Sequence, residues 1–340
     1  MDAHRDVNLD LLRVISAYMV VTLHIAAQGF YAFNPYWEIA LVYNVLSRVA
    51  VPIMFMISGA LLIPKQESLK GTALRFIKRA LVPYIVWSVI YMLYSAWFTG
   101  SLFHITNIFH HAPYYHLWFL FQYFGFLLAL PLLRGFWGNS PKTAKLYVIA
   151  ASLGYGTVVD FIHPWIGKSI IGFPISIVPY YIGYGLLGAY LYQRERVEKT
   201  VTPALLTGFF MCSAATFVLT WQKSLRAGAP TELFLVYSSF FTMIAASCFF
   251  QWALSIHVPA KIGSRLTRVA SATFGVYLLH PLIISSLSAF LVWDTFHPAG
   301  WIPIFSICVS GSCCLFFLVL RSAQDVVAKR LKGHASQKLQ

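Results

Sequence analysis

The chain has 340 residues, of which 59% are apolar and only 11% are charged. Its mean hydropathy of +0.69 excludes a soluble domain, because a chain of this length could not bury so much apolar surface. The net charge of +14 does not indicate nucleic-acid binding, because the basic residues fall in loops between apolar stretches. The composition therefore predicts an all-α, polytopic membrane protein.

Apolar stretches along the chain predict about ten transmembrane helices. They cover residues 9–30, 38–63, 80–99, 114–134, 143–161, 170–192, 202–221, 233–256, 270–293 and 300–321. If the N-terminus is cytoplasmic, most of the 25 Lys and Arg residues fall in cytoplasmic loops. Lys168, Lys223 and Arg226 fall on the other side, and Arg48 lies within the second span. This bias predicts an even number of spans with both termini in the cytoplasm.

The spans use nearly the whole chain, so one transmembrane domain over residues 1–330 and a polar cytoplasmic tail over 331–340 are expected. The five cysteines lie in apolar stretches without metal-ligand spacing, which predicts neither a disulfide framework nor a zinc site. The aromatic segment 99–115 is expected at the membrane interface. Four histidines in or beside this segment lack a nearby carboxylate or cysteine, so no metal site is expected. They are His104, His110, His111 and His116.

The first apolar stretch contains two basic side chains, Arg13 and His24, with ten residues between them. A helix turns about 100° and rises about 1.5 Å per residue, so the two lie roughly 20° apart on one face and about 16 Å apart along the axis. Asp10 precedes Arg13 by three residues, within ion-pair reach. Such side chains are costly in lipid, so this face is expected to line a protein cavity. The alternative is an arginine that extends to the interface and a histidine satisfied by a neighbouring helix.

Further polar residues occur deep in other apolar stretches. They are Arg48 in the second, His116 and Trp118 at the start of the fourth, and Tyr277 and His280 in the ninth. At the cytoplasmic edge of the third stretch, Arg75, Lys78 and Arg79 occupy about one helical turn before Pro83. Three cations in this position can bind the phosphates of a ligand. The alternative is that they bind lipid headgroups and set the topology.

These motifs, in this order, resemble the motifs of acyltransferase family 3 of integral membrane proteins. The matching residues are Asp10, Arg13 and His24 in the first span; Arg48, Ser58 and Gly59 in the second; Arg75, Arg79 and Pro83 in the third; His116 to Phe119 in the fourth; and Gly275, Tyr277, His280 and Pro281 in the ninth. The sequence departs from the family at Leu11, Leu12 and Val14, where many members have glycines beside the Leu-Arg pair.

The resemblance implies an enzyme of the bacterial inner membrane that transfers an acyl group, usually acetyl from acetyl-CoA. The implied acceptor is a hydroxyl of a surface carbohydrate or of its lipid-linked precursor. The layout is similar to that of the stand-alone O-acetyltransferases of surface polysaccharides such as enterobacterial common antigen. Acetyl-CoA is then a co-substrate, no cofactor is bound, and the implied partners are acyl-CoA, the glycan acceptor and membrane lipids.

The residue chemistry is compatible with this reaction. His24 has an intrinsic pKa suited to a general base that takes the proton from a hydroxyl. Arg75, Lys78 and Arg79 are on the side where acetyl-CoA phosphates arrive. Negative charge develops on the thioester carbonyl in the transition state, and Arg48 or His116 is a candidate donor to it. Asp10 is expected to hold Arg13 and to offset its charge.

Two mechanisms remain open, namely direct transfer from CoA and transfer through an acylated side chain. Two other classes of function also remain open. Ionisable residues inside a membrane also mark transport paths, so a transporter or exporter without acyl-transfer chemistry is the main alternative. A structural partner of a polysaccharide assembly complex is the other.

Overall fold

The computed structural model describes residues 6–100, 108–170, 179–194, 198, 200–290 and 297–337. In this part of the chain there is no β-strand, which confirms the predicted all-α class. The α-helices described there are α1 (Val7–Ala32), α2 (Trp37–Ser47), α3 (Ala50–Leu62), α4 (Leu69–Phe76), α5 (Val82–Thr99), α6 (Trp118–Asn139), α7 (Lys142–Thr157), α8 (His163–Ile166), α9 (Tyr180–Gln193), α10 (Thr202–Ala227), α11 (Phe240–Ser255), α12 (Ala260–Ala270), α13 (Thr273–Ser288) and α14 (Pro298–Gln337).

The described residues contain seven helical segments that are long and apolar enough to cross a membrane. An eighth is added if α12 and α13, which are bent by 55°, form one span. Each predicted stretch overlaps a helix, but α9 and α11 have only 14 and 16 residues. Residues 171–178 of the predicted sixth stretch lie outside the described residues. The protein is a polytopic membrane protein; the count of ten and the placement of the termini stay predictions.

The second predicted helix is interrupted at Arg48 and Val49, which form a turn between α2 and α3. Pro52 explains the break. A proline has no N–H to donate to the carbonyl four residues earlier, and its ring clashes with that carbonyl, here the carbonyl of Arg48. The interruption therefore places a charged side chain where the helix has stopped.

The predicted helix 233–256 was wrong over its first seven residues, because α11 begins only at Phe240. The segment before it is buried without being helical, and Leu235 is 1% exposed. Its carbonyls are satisfied by other side chains: Thr157 donates to the Ser238 carbonyl at 2.8 Å, and Tyr184 donates to the Tyr237 carbonyl at 2.6 Å. Irregular backbone is tolerated at depth only where protein satisfies it in this way.

The chain divides into two compact units, Met1–Ser47 with His257–Gln340, and Arg48–Ile256. In the first unit, α1 packs against α2, α12, α13 and α14. It is the helix that carries Asp10, Arg13 and His24, so every other helix of the unit borders the helix that contains these residues. The final helix α14 continues to Gln337, which makes residues 331–337 of the predicted polar tail helical.

In the second unit, α3 and α9 make the most extensive helix pair. Their backbones meet at glycines. A Cβ at Gly59 would stand 1.8 Å from the Gly185 carbonyl oxygen, and one at Gly188 would stand 2.2 Å from the Met56 carbonyl oxygen. Small residues allow such close approach between membrane helices, where dispersion contacts replace the hydrophobic effect. This contact fixes α3 directly after the break at Arg48.

Candidate functional site

The first turn of α1 contains a fully buried carboxylate, Asp10. Arg13 Nη1 donates to Asp10 Oδ1 at 2.7 Å, so the ion pair expected from the spacing is present. Thr267 on α12 donates its hydroxyl to Asp10 Oδ2 at 3.0 Å. Both carboxylate oxygens therefore have a partner, which is the condition under which a buried charge is tolerated. Arg13 itself remains 32% exposed, so part of its guanidinium is accessible.

Deeper in α1, the His24 ring stacks on the His280 ring of α13, with centroids 5.3 Å apart and an interplanar angle of 28°. His280 is completely buried, and its Nδ1 lies 3.0 Å from the carbonyl oxygen of Val276. A carbonyl only accepts hydrogen bonds, so Nδ1 is a nitrogen of this ring that carries a proton. The Tyr277 ring centroid lies 6.3 Å from that of His280. The structure thus brings His24 of the first predicted span together with Tyr277 and His280 of the ninth.

α1 therefore carries two polar centres. His24 follows Arg13 by eleven positions, which corresponds to about 16 Å along the helix axis. The guanidinium is paired at one end of the helix, and the imidazole pair lies well inside it. Arg13 is consequently suited to binding a charged group near the end of the helix rather than to direct contact with an atom that reacts at His24.

In the second unit, Arg48 lies at the break before α3 with its side chain 12% exposed. Its guanidinium lies 3.6 Å from a Glu232 carboxylate oxygen and 5.8 Å from the ring centroid of Tyr237. The Tyr237 ring stacks on Trp118, with centroids 5.7 Å apart. Arg48 and Trp118, which were predicted separately, thus share one tyrosine. His116 is 1% exposed and packs against the rings of Tyr91 and Tyr114.

The three cations of the third predicted span have different surroundings. Arg75 donates to both carboxylate oxygens of Glu67, at 2.6 and 3.1 Å. Lys78 and Arg79 lie on a π-helical turn, Ile77–Leu81, and both are exposed. Neither makes a hydrogen bond or ion pair with any residue in the described part of the chain. Short π-helical segments are frequent at functional sites. The two cations available to a ligand are therefore Lys78 and Arg79.

Arg134 holds this region together. Its side chain is 9% exposed and donates to the Leu62 carbonyl at 3.0 Å, to Thr72 Oγ1 at 2.7 Å and to Glu67 Oε2 at 3.0 Å. The hydrogen bonds from Arg75, supported by the one from Arg134, lower the pKa of Glu67 from 4.5 to about 2. The arrangement connects the end of α3, the start of α4 and the last part of α6, and so fixes the position of the π-helical turn.

Among the residues of these clusters that the sequence did not predict are Thr267, Glu67, Arg134, Glu232 and Tyr237. Each lies in a different helix or loop from the charge that it contacts, so no helical spacing identifies it. The sequence offered one signal, the scarcity of acidic residues. The chain has only 11 Asp and Glu residues, so an acidic residue near a basic group is a candidate ion-pair partner. Within the described residues no group of three or more His, Cys, Asp or Glu side chains could hold a metal ion. His104 lies outside them.

The fold and these clusters define a polytopic membrane protein that holds ionisable side chains inside its helices. A model of the acyltransferase domain of acyltransferase family 3 matches residues 6–321, nearly the whole chain. No curated protein and no solved structure matches the chain significantly. The chain therefore belongs to acyltransferase family 3 and is a multi-pass membrane acyltransferase.

Proposed function

We propose that this protein is an O-acetyltransferase of the bacterial inner membrane. It takes an acetyl group from acetyl-CoA and transfers it to a hydroxyl of a surface carbohydrate or of its lipid-linked precursor. The observation that carries this proposal is the contact between the His24 and His280 rings, in a chain that belongs to an acyltransferase family. The imidazole of His24 supplies a basic nitrogen inside the helices, where a hydroxyl can be activated away from bulk water.

His24 is the proposed general base. An alcohol is a weak nucleophile until a base removes its proton, and an imidazole titrates near physiological pH. The hydroxyl oxygen attacks the thioester carbonyl, its proton passes to His24, and collapse of the tetrahedral intermediate releases the CoA thiolate, which takes up a proton. His280 is the proposed positioning residue, since its ring is held by the Val276 carbonyl and stacks on His24.

The proposed donor site lies on the π-helical turn. Acetyl-CoA carries several phosphate charges, and charge-assisted hydrogen bonds to phosphate are strong. Lys78 and Arg79 are exposed and have no acidic partner in the described part of the chain. Arg75 is the third predicted donor residue, but its bidentate contact with Glu67 favours a supporting role. Arg13, which is partly exposed, is a separate cation that can contact an anionic group at the end of α1.

Arg48 is a further proposed site residue, because a guanidinium can stabilise negative charge of the kind that develops on a thioester carbonyl oxygen. It is nearly buried and lies where the helix is interrupted. Trp118 and Tyr237 beside it present aromatic rings of the kind that can pack against a ligand. Direct transfer and transfer through an acylated side chain both remain compatible with these residues.

The test is acetyl transfer by the purified protein. Acetyl-CoA labelled in its acetyl group is added with candidate glycans or their lipid-linked precursors, and the products are analysed by mass spectrometry. We expect CoA release that depends on the acceptor, and one added acetyl mass on the glycan. Cells without the gene should lack the same modification. Transport of a glycan without consumption of acetyl-CoA would establish the alternative function, a transporter or exporter.

A further inference from the structure

One face of α12 is basic and exposed. Lys261, Arg265 and Arg268 follow one another at spacings of four and three residues, so they lie within about 60° around the helix. None of the three side chains makes an ion pair or hydrogen bond with any residue in the described part of the chain. The opposite face packs inward, with Gly263 buried and Thr267 bonded to Asp10. Such a helix, next to a membrane span, is typical of a helix at the lipid headgroups.

An apolar crevice of about 420 Å³ begins beside this face. It lies between α1, the junction of α12 with α13, and α14. The residues that line it include Val14, Tyr18, Val269, Val276, Ile307 and Gly311. Its volume is within the range of pockets that enclose small ligands. Ile307 is 63% exposed on a long apolar helix, so this wall of the crevice continues into the surface that faces lipid.

We propose that the basic face and the crevice form one binding site for an anionic phospholipid. The phosphate of the headgroup contacts Lys261, Arg265 and Arg268, and one hydrocarbon chain lies in the crevice. The two parts adjoin, because Val269, which lines the crevice, lies one turn along α12 from Arg265 and about 40° around the helix from it. The basic residues have no acidic partner in the described part of the chain and can attract the phosphate of a lipid, and the apolar crevice beside them can hold its hydrocarbon chain.

The site is connected to both polar centres of α1. Thr267 of α12 holds Asp10, which in turn holds Arg13. Val276, which lines the crevice, is the residue whose carbonyl positions His280. A lipid bound there would press α12 and α13 against α1 and steady both contacts. This inference does not depend on which acyl group or acceptor the enzyme uses.

The first test concerns the headgroup. The protein is reconstituted in phosphatidylcholine alone and in equal parts of phosphatidylcholine and phosphatidylglycerol. Retained phosphatidylglycerol is counted by native mass spectrometry, and the midpoint of thermal unfolding is measured. The variant Lys261→Gln/Arg265→Gln/Arg268→Gln is compared with Lys142→Gln/Lys223→Gln/Arg226→Gln, which removes the same charge from exposed residues elsewhere.

The wild type and the Lys142 control should retain phosphatidylglycerol and gain thermal stability from it. The α12 variant should bind it about 100-fold more weakly, because each basic residue near an anionic headgroup contributes roughly fivefold. Equal retention by all three proteins, or an equal loss in both variants, would overturn the proposal, because the attraction would then not be located on α12.

The second test concerns the hydrocarbon chain. A Cβ at Gly311 meets no atom within 4 Å, so Gly311→Leu fills the crevice without displacing the backbone. Gly300→Leu is the matched control on the same helix, where a Cβ also has open space. Gly311→Leu should lose the retained phosphatidylglycerol, and Gly300→Leu should keep it. Full retention in Gly311→Leu would show that no chain occupies the crevice. Displacement of phosphatidylglycerol by an equimolar polyprenyl phosphate would show that the occupant is instead a lipid-linked substrate.

Discussion

At the scale of single residues, Asp10 explains how α1 tolerates charge. Its carboxylate is fully buried and is shared between Arg13 on the same helix and Thr267 on α12. The pair with Arg13 could be predicted, because residues three apart on a helix face each other. The contact with Thr267 could not, because 257 residues separate the two and only the folded chain brings them together.

This arrangement predicts that Arg13→Ala is worse for stability than the change Asp10→Asn/Arg13→Ala. Removing the arginine alone takes away the cation that pairs with this buried carboxylate, and breaking a buried ion pair on one side costs about 3–5 kcal/mol. An asparagine at position 10 is neutral and keeps the bond to Thr267. Thermal stability should therefore recover in the double variant, whereas acetyl transfer should not, because the guanidinium is still missing.

The measurement is a double-mutant cycle on unfolding and on turnover, with Asp10→Asn as the second single variant. Additive losses of stability would mean that the two residues do not act as a pair. Recovery of activity together with stability would make Arg13 a structural residue only.

At the scale of the helices, the apolar stretches predicted where helices occur. A chain segment that enters lipid must satisfy its backbone hydrogen bonds internally, and a helix does so. The apolar stretches did not predict where α11 begins. The residues before Phe240 are as apolar as those of a transmembrane helix, but their carbonyls accept hydrogen bonds from the hydroxyls of Thr157 and Tyr184 instead of from a helical backbone.

The contact between His24 and His280 could not be predicted from the sequence either. Each histidine was identified in its own span, and residue spacing does not show which spans are neighbours.

Arg75, Lys78 and Arg79 were predicted as one phosphate-binding group. In the structure Arg75 is bonded to Glu67, whereas Lys78 and Arg79 are exposed. Lys78→Ala and Arg79→Ala should each raise the KM for acetyl-CoA by roughly 10- to 100-fold, since a charge-assisted hydrogen bond contributes about 1.5–3 kcal/mol. The thermal stability of these variants should stay close to that of the wild type, because neither side chain makes a hydrogen bond or ion pair in the part of the chain that the structure describes. Arg75→Ala should lower stability as well, because it leaves Glu67 with fewer partners. A normal donor KM in Lys78→Ala/Arg79→Ala would place the donor elsewhere.

The Glu67 cluster also predicts a dependence on pH. The pKa of Glu67 is lowered to about 2 in the folded chain, so its ion pairs contribute fully above pH 4.5 and lose their effect as the pH falls towards about 2. The difference in unfolding temperature between the wild type and Glu67→Gln should be constant above about pH 5 and should narrow below it. Glu38→Gln, an exposed carboxylate on α2, is the control. A difference that stays constant down to pH 3 would contradict the lowered pKa.

At the scale of the whole molecule, the bias of basic residues predicts the orientation in the membrane. Lys70 should face the cytoplasm and Lys223 the other side. In a background without native cysteines, Lys223→Cys should react with an impermeant maleimide in intact cells, and Lys70→Cys should react only after the membrane is opened. The reverse result would overturn the topology and, with it, the side from which acetyl-CoA enters.

In the proposed reaction, His24 activates the hydroxyl of the acceptor. The most direct measurement is the rate of acetyl transfer by His24→Ala in reconstituted membranes, with the amount of inserted protein and its unfolding temperature measured in the same sample. A general base typically contributes about 100- to 10,000-fold, so turnover should fall by that range while insertion is unchanged. Undiminished turnover in fully inserted protein would contradict the claim and exclude His24 from the mechanism.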